Sequence, residues 1–337
     1  MISLLVVNFR SSALAHRAIV TARAATSSPL QVVIVDNSCD PHEAGALENL
    51  ADVLIVSETN LGYAGGINLG RRSCLGEIIV LCNPDIEFRS GAIDRLVEAL
   101  GEATVAGPAF FWDAADRWHL PPGDVMTAWE KIDSILASRS FALQEQLDRR
   151  RIRRRTAFWS LKKTTRVRTL SGAVLAIRGA DFDRLDGFDE RFRLYFEETD
   201  FLRTAAERHE RVVFVPAAHC RHIYNQSAAQ IAEEAAARYA ESELRYLEKW
   251  NGPFLARAMK RLERPLRVAE LQPLPRPLEV DRDDLLIEAS PLPTFATAAG
   301  CFAERGVVEL PAEILESVGG RPLYLRMVDL RTWEVLG

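Results

Sequence analysis

The sequence predicts an α/β protein whose first half is a parallel sheet flanked by helices, and three observations predict it. Short apolar runs alternate with helical patterns through the first hundred or so residues. The runs are continuous rather than alternating, as in strands covered on both faces. A polar residue stands just beyond several of them (Asn8, Asp36 and Asp85), where an open α/β sheet gathers its ligand crevice. In order, Ile2–Val7 is predicted as a strand and Ser12–Ala25 as a helix. Val32–Val35 is a strand ending in Asp36-Asn37-Ser38, and Val53–Val56 is a third. Ala64–Ser73 is a helix opened by glycines. Glu77–Cys82 is a strand ending in Asn83-Pro84-Asp85, and Ser90–Leu100 is a helix with Ser90 as N-cap. Strand character returns at Leu170–Ile177 and at Val212–Val215, which Pro216 closes. Residues 228–264 are Ala-, Glu- and Arg-rich and predict helix. A Pro-rich stretch at 269–277 is expected to be a stiff linker. Beyond it, 278–337 is β-rich, with strands predicted at Leu285–Ala289, Val307–Leu310, Leu323–Val328 and Trp333–Leu336.

Composition sets the bounds. A chain of 337 residues, 48% hydrophobic, is long enough for about two domains with a full core. A formal charge of −5 argues against a general nucleic-acid binder. The five cysteines (39, 74, 82, 220 and 301) form no C-x-x-C pair and are expected to be reduced thiols. The chain opens on a strand without a basic lead, and no apolar run approaches the length of a membrane span. The expected location is therefore the cytoplasm.

Charge is concentrated in two places. In Phe188 to Phe201, FDERFRLYFEETDF, Glu197, Glu198 and Asp200 fall within four positions beside Tyr195, Phe196 and Phe201. Carboxylates crowded among aromatics repel one another and lose hydration, which suits a general base or a metal-facing group. An acidic helix N-terminus would account for the same cluster. The other concentration is basic. Residues 149–168 carry ten Lys and Arg and no acid, with Phe158 and Trp159 inside the run. It is either a solvated helix face or a patch for anionic headgroups, which would make the protein peripheral on the inner face of the membrane.

Two loops complete the set of motifs. Asn60-Leu-Gly-Tyr-Ala-Gly-Gly-Ile-Asn-Leu-Gly70 brings Gly62, Gly65 and Gly66 to the start of a helix, where backbone approaches ligand closely and phosphate is favoured. It is not G-x-G-x-x-G, so a dinucleotide oxidoreductase is not supported. Asn83-Pro84-Asp85 follows an apolar strand, and its carboxylate is placed to hold a hard divalent cation that bridges a pyrophosphate. A nucleotidyltransferase would need a basic Gly-rich loop after the first strand, and Val6-Val7-Asn8-Phe9 offers none.

Taken in order, these segments resemble the family 2 glycosyltransferases, in particular the bacterial rhamnosyltransferase-like branch. The resemblance runs over about residues 1–250. It includes Val7-Asn8-Phe9, Val35-Asp36-Asn37-Ser38, the 60–70 loop, Asn83-Pro84-Asp85, Ser171-Gly172-Ala173, Gly187-Phe188-Asp189-Glu190, Tyr195 to Phe201, and His222 with Ser227. The resemblance implies a GT-A fold: a Rossmann-like mixed sheet flanked by helices over residues 1–268. Within it lie a donor half at about 1–110, a basic insertion at about 112–168 and an acceptor half at about 170–268. It implies a nucleoside-diphosphate sugar donor, a saccharide or lipid-linked acceptor, a divalent cation (Mg2+ or Mn2+) and inversion at the anomeric carbon, in bacterial surface polysaccharide synthesis. Rhamnose is one sugar this branch implies, and a homo-oligomer is compatible with it.

The roles follow the motifs. Asn8, Asp36, Asn60, Gly62, Tyr63, Gly65, Gly66, Asn68, Asn83 and Asp85 fall on the donor side, with Asp36 at the nucleoside. Ser171, Gly172, Ala173, Asp189 and Glu190 fall on the acceptor side. Asp85 and His222 would hold the metal, with His219 as a rival. Glu198 is the implied base, supported by Glu197 and Asp200. The chain departs from the family's pattern at Asn83, where an Asp is usual, and at Glu198, where Asp is frequent. A catalytically impaired protein that only binds sugar nucleotides is the alternative.

Overall fold

The computed structural model describes residues 1–123, 126–223, 232–268 and 278–336. The expected linker at 269–277 and Ser227 lie outside the described residues. The chain divides into two compact units. The first comprises Met1–Ala109, Gly123–Val125 and Lys162–Gly252; the second comprises Phe110–Pro122, Met126–Leu161 and Pro253–Gly337.

The first unit is built on a mixed sheet. Its first strands and helices are β1 (Ile2–Asn8), α1 (Ser12–Ala24), β2 (Leu30–Asp36), α2 (Pro41–Leu47), β3 (Val53–Val56), α3 (Gly62–Arg71) and β4 (Ile78–Cys82). Then come β5 (Ile86–Phe88), α4 (Ala92–Ala99) and β6 (Val105–Phe111). After residue 161 it resumes with β7 (Thr165–Arg166), β8 (Val174–Arg178), α7 (Gly179–Arg184), α8 (Glu197–Glu207), β9 (Val212–His222) and α9 (Ala232–Asn251). Among the described residues the strand order is β3-β2-β1-β4-β8-β6-β9-β5, with β7 on β9. The strands β1 to β4 are parallel, as the alternation of runs and helices predicts, and in register they bring Asn8 opposite Asp36. From β8 onward the partners are antiparallel, with Cys82 opposite Val174 and Ile86 opposite His222. This is the mixed sheet expected of a GT-A fold.

Small residues fix how α3 lies on the sheet. A Cβ at Gly66 would stand 2.9 Å from both Val7 methyls, and one at Gly70 would run into Leu5 and stand 2.8 Å from Val35. The helix backbone therefore rides directly on β1 and β2, one layer closer than side chains would allow.

In the second unit, α5 (Ala128–Ala137) and α6 (Phe141–Trp159) are followed by α10 (Pro253–Leu262). Then come β10 (Leu278–Val280), β11 (Leu285–Ser290), β12 (Ala299–Ala303), β13 (Gly306–Val308), α11 (Ala312–Ser317) and β14 (Tyr324–Asp329). Three antiparallel strands pair in the order β12-β11-β14, and β10 pairs with β13. Ile152 and Trp159 of α6 pack on Leu286 and Val328, with Phe158, Phe302, Leu330 and Trp333 around them. Gly300 leaves the room that the Trp159 ring fills, and the indole N–H donates to the Leu120 carbonyl at 2.9 Å.

That packing corrects one expectation. Phe158 and Trp159 are core side chains rather than anchors presented to a lipid surface. The cations around them are largely paired: Arg150 with Asp133, Arg154 with Glu130 at 3.0 Å, and buried Arg155 beside Glu288 at 3.9 Å. The acids lie outside the basic run in sequence, so the run itself hides them.

Four local readings also change. The cap of α4 is Gly91 at φ 70°, not Ser90. Pro216 does not end a strand, because β9 continues to His222. It falls between the residues that pair with β7 (Val213, Phe214) and those that pair with β5 (Cys220, Arg221, His222). The helical stretch after residue 228 breaks at Gly252, φ 80°, into α9 and α10. Residues 333–336 make only an isolated bridge, Val328 to Val335. Among the described residues no helix is long and apolar enough to cross a membrane.

The close seat of α3 is open to measurement. Gly70→Ala should destabilise the protein by about 1–3 kcal/mol, the usual cost of overpacking, read from urea or thermal unfolding. An unchanged midpoint would mean that α3 is free to shift away from β1.

Candidate active site

The acidic cluster forms the first turn of α8, and the chain enters that helix through an unusual bend. Tyr195 and Phe196 both take left-handed backbone angles, φ 68° and 70°. Each such non-glycine residue costs about 1–3 kcal/mol, so something must hold the bend. Helix α9 does so. The Phe196 ring lies 5.2 Å from Tyr239 and 5.3 Å from Tyr246. The Ser242 hydroxyl donates to the Leu194 carbonyl at 2.9 Å. Asp200 accepts from Lys249 at 2.7 Å and from the Trp250 indole at 2.7 Å. Both Asp200 oxygens are thereby engaged, and Asp200 anchors α8 to α9.

Glu197 and Glu198 are treated differently. Burial pushes both carboxyls above the usual carboxylate range, and the Glu198 charge adds to the shift of Glu197. One oxygen of Glu197 is buried with no hydrogen-bond partner among the described residues. Glu198 is half-buried and lies against Gly172: a Cβ at 172 would stand 2.6 Å from its Cγ. Ser171-Gly172-Ala173 is therefore the wall that shapes the Glu198 side chain, and the Ala173 carbonyl takes the Asn83 N–H at 2.9 Å.

The Gly-rich turn is fastened to the acidic segment. Tyr63 N–H donates to the Arg193 carbonyl at 2.8 Å, and the Arg193 guanidinium donates to the Asn60 carbonyl at 2.9 Å. Gly62, φ 75°, allows this because a Cβ there would stand 2.9 Å from Arg193 Cα. The Asn60 side chain accepts the Gly62 N–H in a local turn. Asn68 bonds both the N–H and the carbonyl of Phe188, and also Glu190. Asp189 is held by Arg191 first and then by Lys249, which keep its carboxyl well below the usual range. A Cβ at Gly65 would stand 3.1 Å from the Cβ of Leu61, the cap of the same helix. The motif residues Asn68, Asp189, Glu190 and the glycines thus bind parts of the chain to one another.

Tyr63 marks the centre. Its hydroxyl is buried with no partner among the described residues. Its pKa is pushed well above the ordinary value by burial, then by the charges of Glu197, Cys82, Glu198 and Asp85. The strand-end carboxylate and the helix carboxylates thus share one electrostatic neighbourhood.

Asp85 is 6% exposed, and its Oδ1 lies 3.2 Å from His222 Nε2. Residues three apart on a strand point to opposite faces, so His222 rather than His219 shares the Asp85 side. Two ligands at about 2.1 Å from an ion and at a right angle would lie ~3.0 Å apart, so the pair fits a divalent cation. Among the described residues no third His, Cys, Asp or Glu joins them.

Asp36 is fully buried at the end of β2. Its Oδ1 accepts from the Asn8 amide at 2.9 Å and from the Ser38 N–H and hydroxyl, while its Oδ2 has no partner among the described residues. Asn8 also reaches Glu43 at 3.0 Å and accepts from Ser11. Sequence reasoning missed Ser11, Glu43, Tyr239, Lys249 and Trp250. Glu43 in the first turn of α2 was the one readable signal, as a helix-start acid two residues past Pro41.

Residues 3–163 match the family model described as glycosyl transferase family 2. An N-acetylglucosaminyl-diphospho-decaprenol L-rhamnosyltransferase of Mycobacterium tuberculosis is 25% identical over 227 residues, 59% of this chain and 68% of that one. An uncharacterised glycosyltransferase of Nostoc sp. is 24% identical over 142 residues, 41% of this chain and 44% of that one. Among solved structures, the mannosyltransferase PcManGT from Pyrobaculum calidifontis, in complex with GDP-Man and Mn2+, is 13% identical. It has a TM-score of 0.48 and covers 77% of this chain and 73% of that one. The resemblance carried by the motifs is borne out over residues 3–163, and the mycobacterial relative lies in the branch to which they point.

The buried carboxyl pair makes stability depend on pH. Because the folded pKa of Glu197 is raised, the folded state binds its proton more tightly than the unfolded state does. Its contribution is fully present below the ordinary Glu range and is lost as pH rises through the raised value. In EDTA, Glu197→Gln should therefore raise the melting temperature more at pH 8 than at pH 5. A difference that is flat with pH would show that Glu197 is ionised at no cost in the fold.

Proposed function

We propose that this chain is an inverting glycosyltransferase. It moves a sugar from a nucleoside-diphosphate sugar to the hydroxyl of a saccharide or lipid-linked saccharide, rhamnose being the sugar the similar mycobacterial enzyme suggests. The observation that carries the reading is Glu198. It is a half-buried carboxyl with a raised pKa at the start of α8, in one electrostatic neighbourhood with Asp85, on a chain that matches family 2 over residues 3–163.

The chemistry divides among the residues. The ionised Glu198 takes the acceptor hydroxyl's proton as that oxygen attacks the anomeric carbon from the face opposite the diphosphate. The new C–O bond forms as the bond to the diphosphate oxygen breaks, and the configuration inverts. Burial raises the pKa of Glu198 toward the working pH, where a base is most effective. Asp85 and His222 would hold a divalent cation, which supplies charge neutralisation for the departing diphosphate. Asp36, with one oxygen fixed by Asn8 and Ser38 and the other without a partner, has an acceptor for a nucleobase N–H. Burial disfavours the ionised form of Glu197 as well, which limits the negative charge beside the base. The Asn83 position keeps a second reading alive, a sugar-nucleotide binder without turnover, and the same experiment separates the two.

Glu198→Gln keeps size and polarity but accepts no proton. Turnover should fall by about 10²–10⁴ while donor affinity stays within a few-fold. The wild-type rate should climb as pH rises through the raised pKa, since the base acts when ionised. Full activity in the variant would pass the role to Glu197, and a wild type that binds donor but never transfers would favour the second reading.

Asp85→Ala should abolish the metal-dependent part of donor binding with the fold intact by circular dichroism. Donor binding by the wild type that ignores EDTA would remove the metal from the proposal.

A further inference from the structure

Sequence alone leaves residues 149–168 as either a solvated helix face or a surface for anionic headgroups, and the fold takes the aromatic members of that stretch, Phe158 and Trp159, into the core. The second unit carries a different surface with the required chemistry. Helix α10 buries Ala256 and Met259 and leaves Phe254 92% exposed, with Leu255 at 44% and Leu262 at 48%. At 3.6 residues per turn, positions 254, 255, 258 and 262 span an arc of about 100°, with exposed Arg257 and Arg261 along its border. Exposed Arg264 and Arg267 follow the helix. Glu263 is the one acid in residues 253–268, and it is neutralised by Lys131 at 2.6 Å and Lys260 at 2.9 Å.

The surface extends beyond one helix. The Lys131–Glu263 pair ties α10 to α5, whose Trp129 is 77% exposed. The Gln144 amide donates to the Arg267 carbonyl at 2.6 Å, which sets the chain after α10 against the start of α6, where Phe141 is 59% exposed. Large apolar side chains thus stand out among cations, on a chain whose net charge is −5. With Glu263 paired, residues 253–268 present only positive charge beside the apolar tips, and a negatively charged surface complements it. An anionic bilayer accepts both kinds of group: rings and aliphatic tips enter the headgroup boundary, and guanidinium groups meet phosphate.

We infer that α10, with Trp129 beside it, is a docking surface for an anionic lipid bilayer. The docking is independent of the transfer chemistry proposed above and needs no donor.

The test is sedimentation of the full chain with vesicles, either of phosphatidylcholine alone or with roughly a third phosphatidylglycerol. The expected result is binding to the anionic vesicles that weakens with salt, and little binding to the neutral ones. Phe254→Ser should weaken it about tenfold by removing buried apolar area. Arg261→Gln with Arg264→Gln should weaken it about fivefold for each charge and flatten the salt dependence. All three positions are exposed, so unchanged thermal melts confirm that the fold is intact. Glu198→Gln should bind vesicles like wild type, so the two proposals fail separately. Equal binding to neutral and anionic vesicles overturns the inference. So does full binding by both α10 variants, or wild-type chain that ignores vesicles and forms a dimer that Phe254→Ser dissociates.

Discussion

The position of the two candidate catalytic carboxyls depends on Asp200, whose two oxygens are held by Lys249 and Trp250. That clamp fixes the first turn of α8 against α9 and holds the two left-handed residues before it. It shares that work with the Phe196 ring on Tyr239 and Tyr246 and with the Ser242–Leu194 hydrogen bond. The same lysine also binds Asp189, so one ammonium on α9 organises both ends of the acidic segment. A charged pair of this kind is worth more as a geometric constraint than as net stability, because removing two charges from water offsets most of their attraction.

Three acidic residues within four positions would be expected to repel. The fold separates them by giving each a different environment. Asp200 is paired with Lys249 and the Trp250 indole. Glu197 and Glu198 are pushed toward the protonated form by burial. The helix N-terminus, a bland explanation of the cluster, is present as well, but it acts on all three alike. The difference among them comes from α9 on one side and from Gly172 and Tyr63 on the other. The candidate base and its neighbours are distinguished here by packing, since their side-chain chemistry is nearly the same.

The second unit follows the opposite rule for its cations. Arg155 is buried and donates to the carbonyls of Phe295 and Ala296, and Arg326 joins Glu288 and Asp148. Arg155 thereby ties α6 to the C-terminal segment, while Arg150, Arg153 and Arg154 of the same helix stay exposed. Exposed cations remain on α10, where the neighbouring side chains are apolar.

The order of strands through β4, with α1 and α3 between them, was legible in the sequence, because buried parallel strands are continuous apolar runs and polar residues follow them. The acidic helix, the Gly-rich turn and the Asp85–His222 pairing were legible as motifs, and the sequence by itself determined which residue types could do the chemistry. Short elements such as β5, β7 and α2 were not legible, since a few residues carry too little periodicity to stand out. Only the tertiary structure decided the rest. It set Gly66 and Gly70 as packing positions, Asn68 as a tie to Phe188, Trp159 as core, and Asp200 as a clamp. Each of these depends on a partner far away in the chain, such as Lys249 for Asp200 or Leu120 for Trp159. A residue's own neighbours in sequence carry no information about that partner's distance, its charge or the water it excludes.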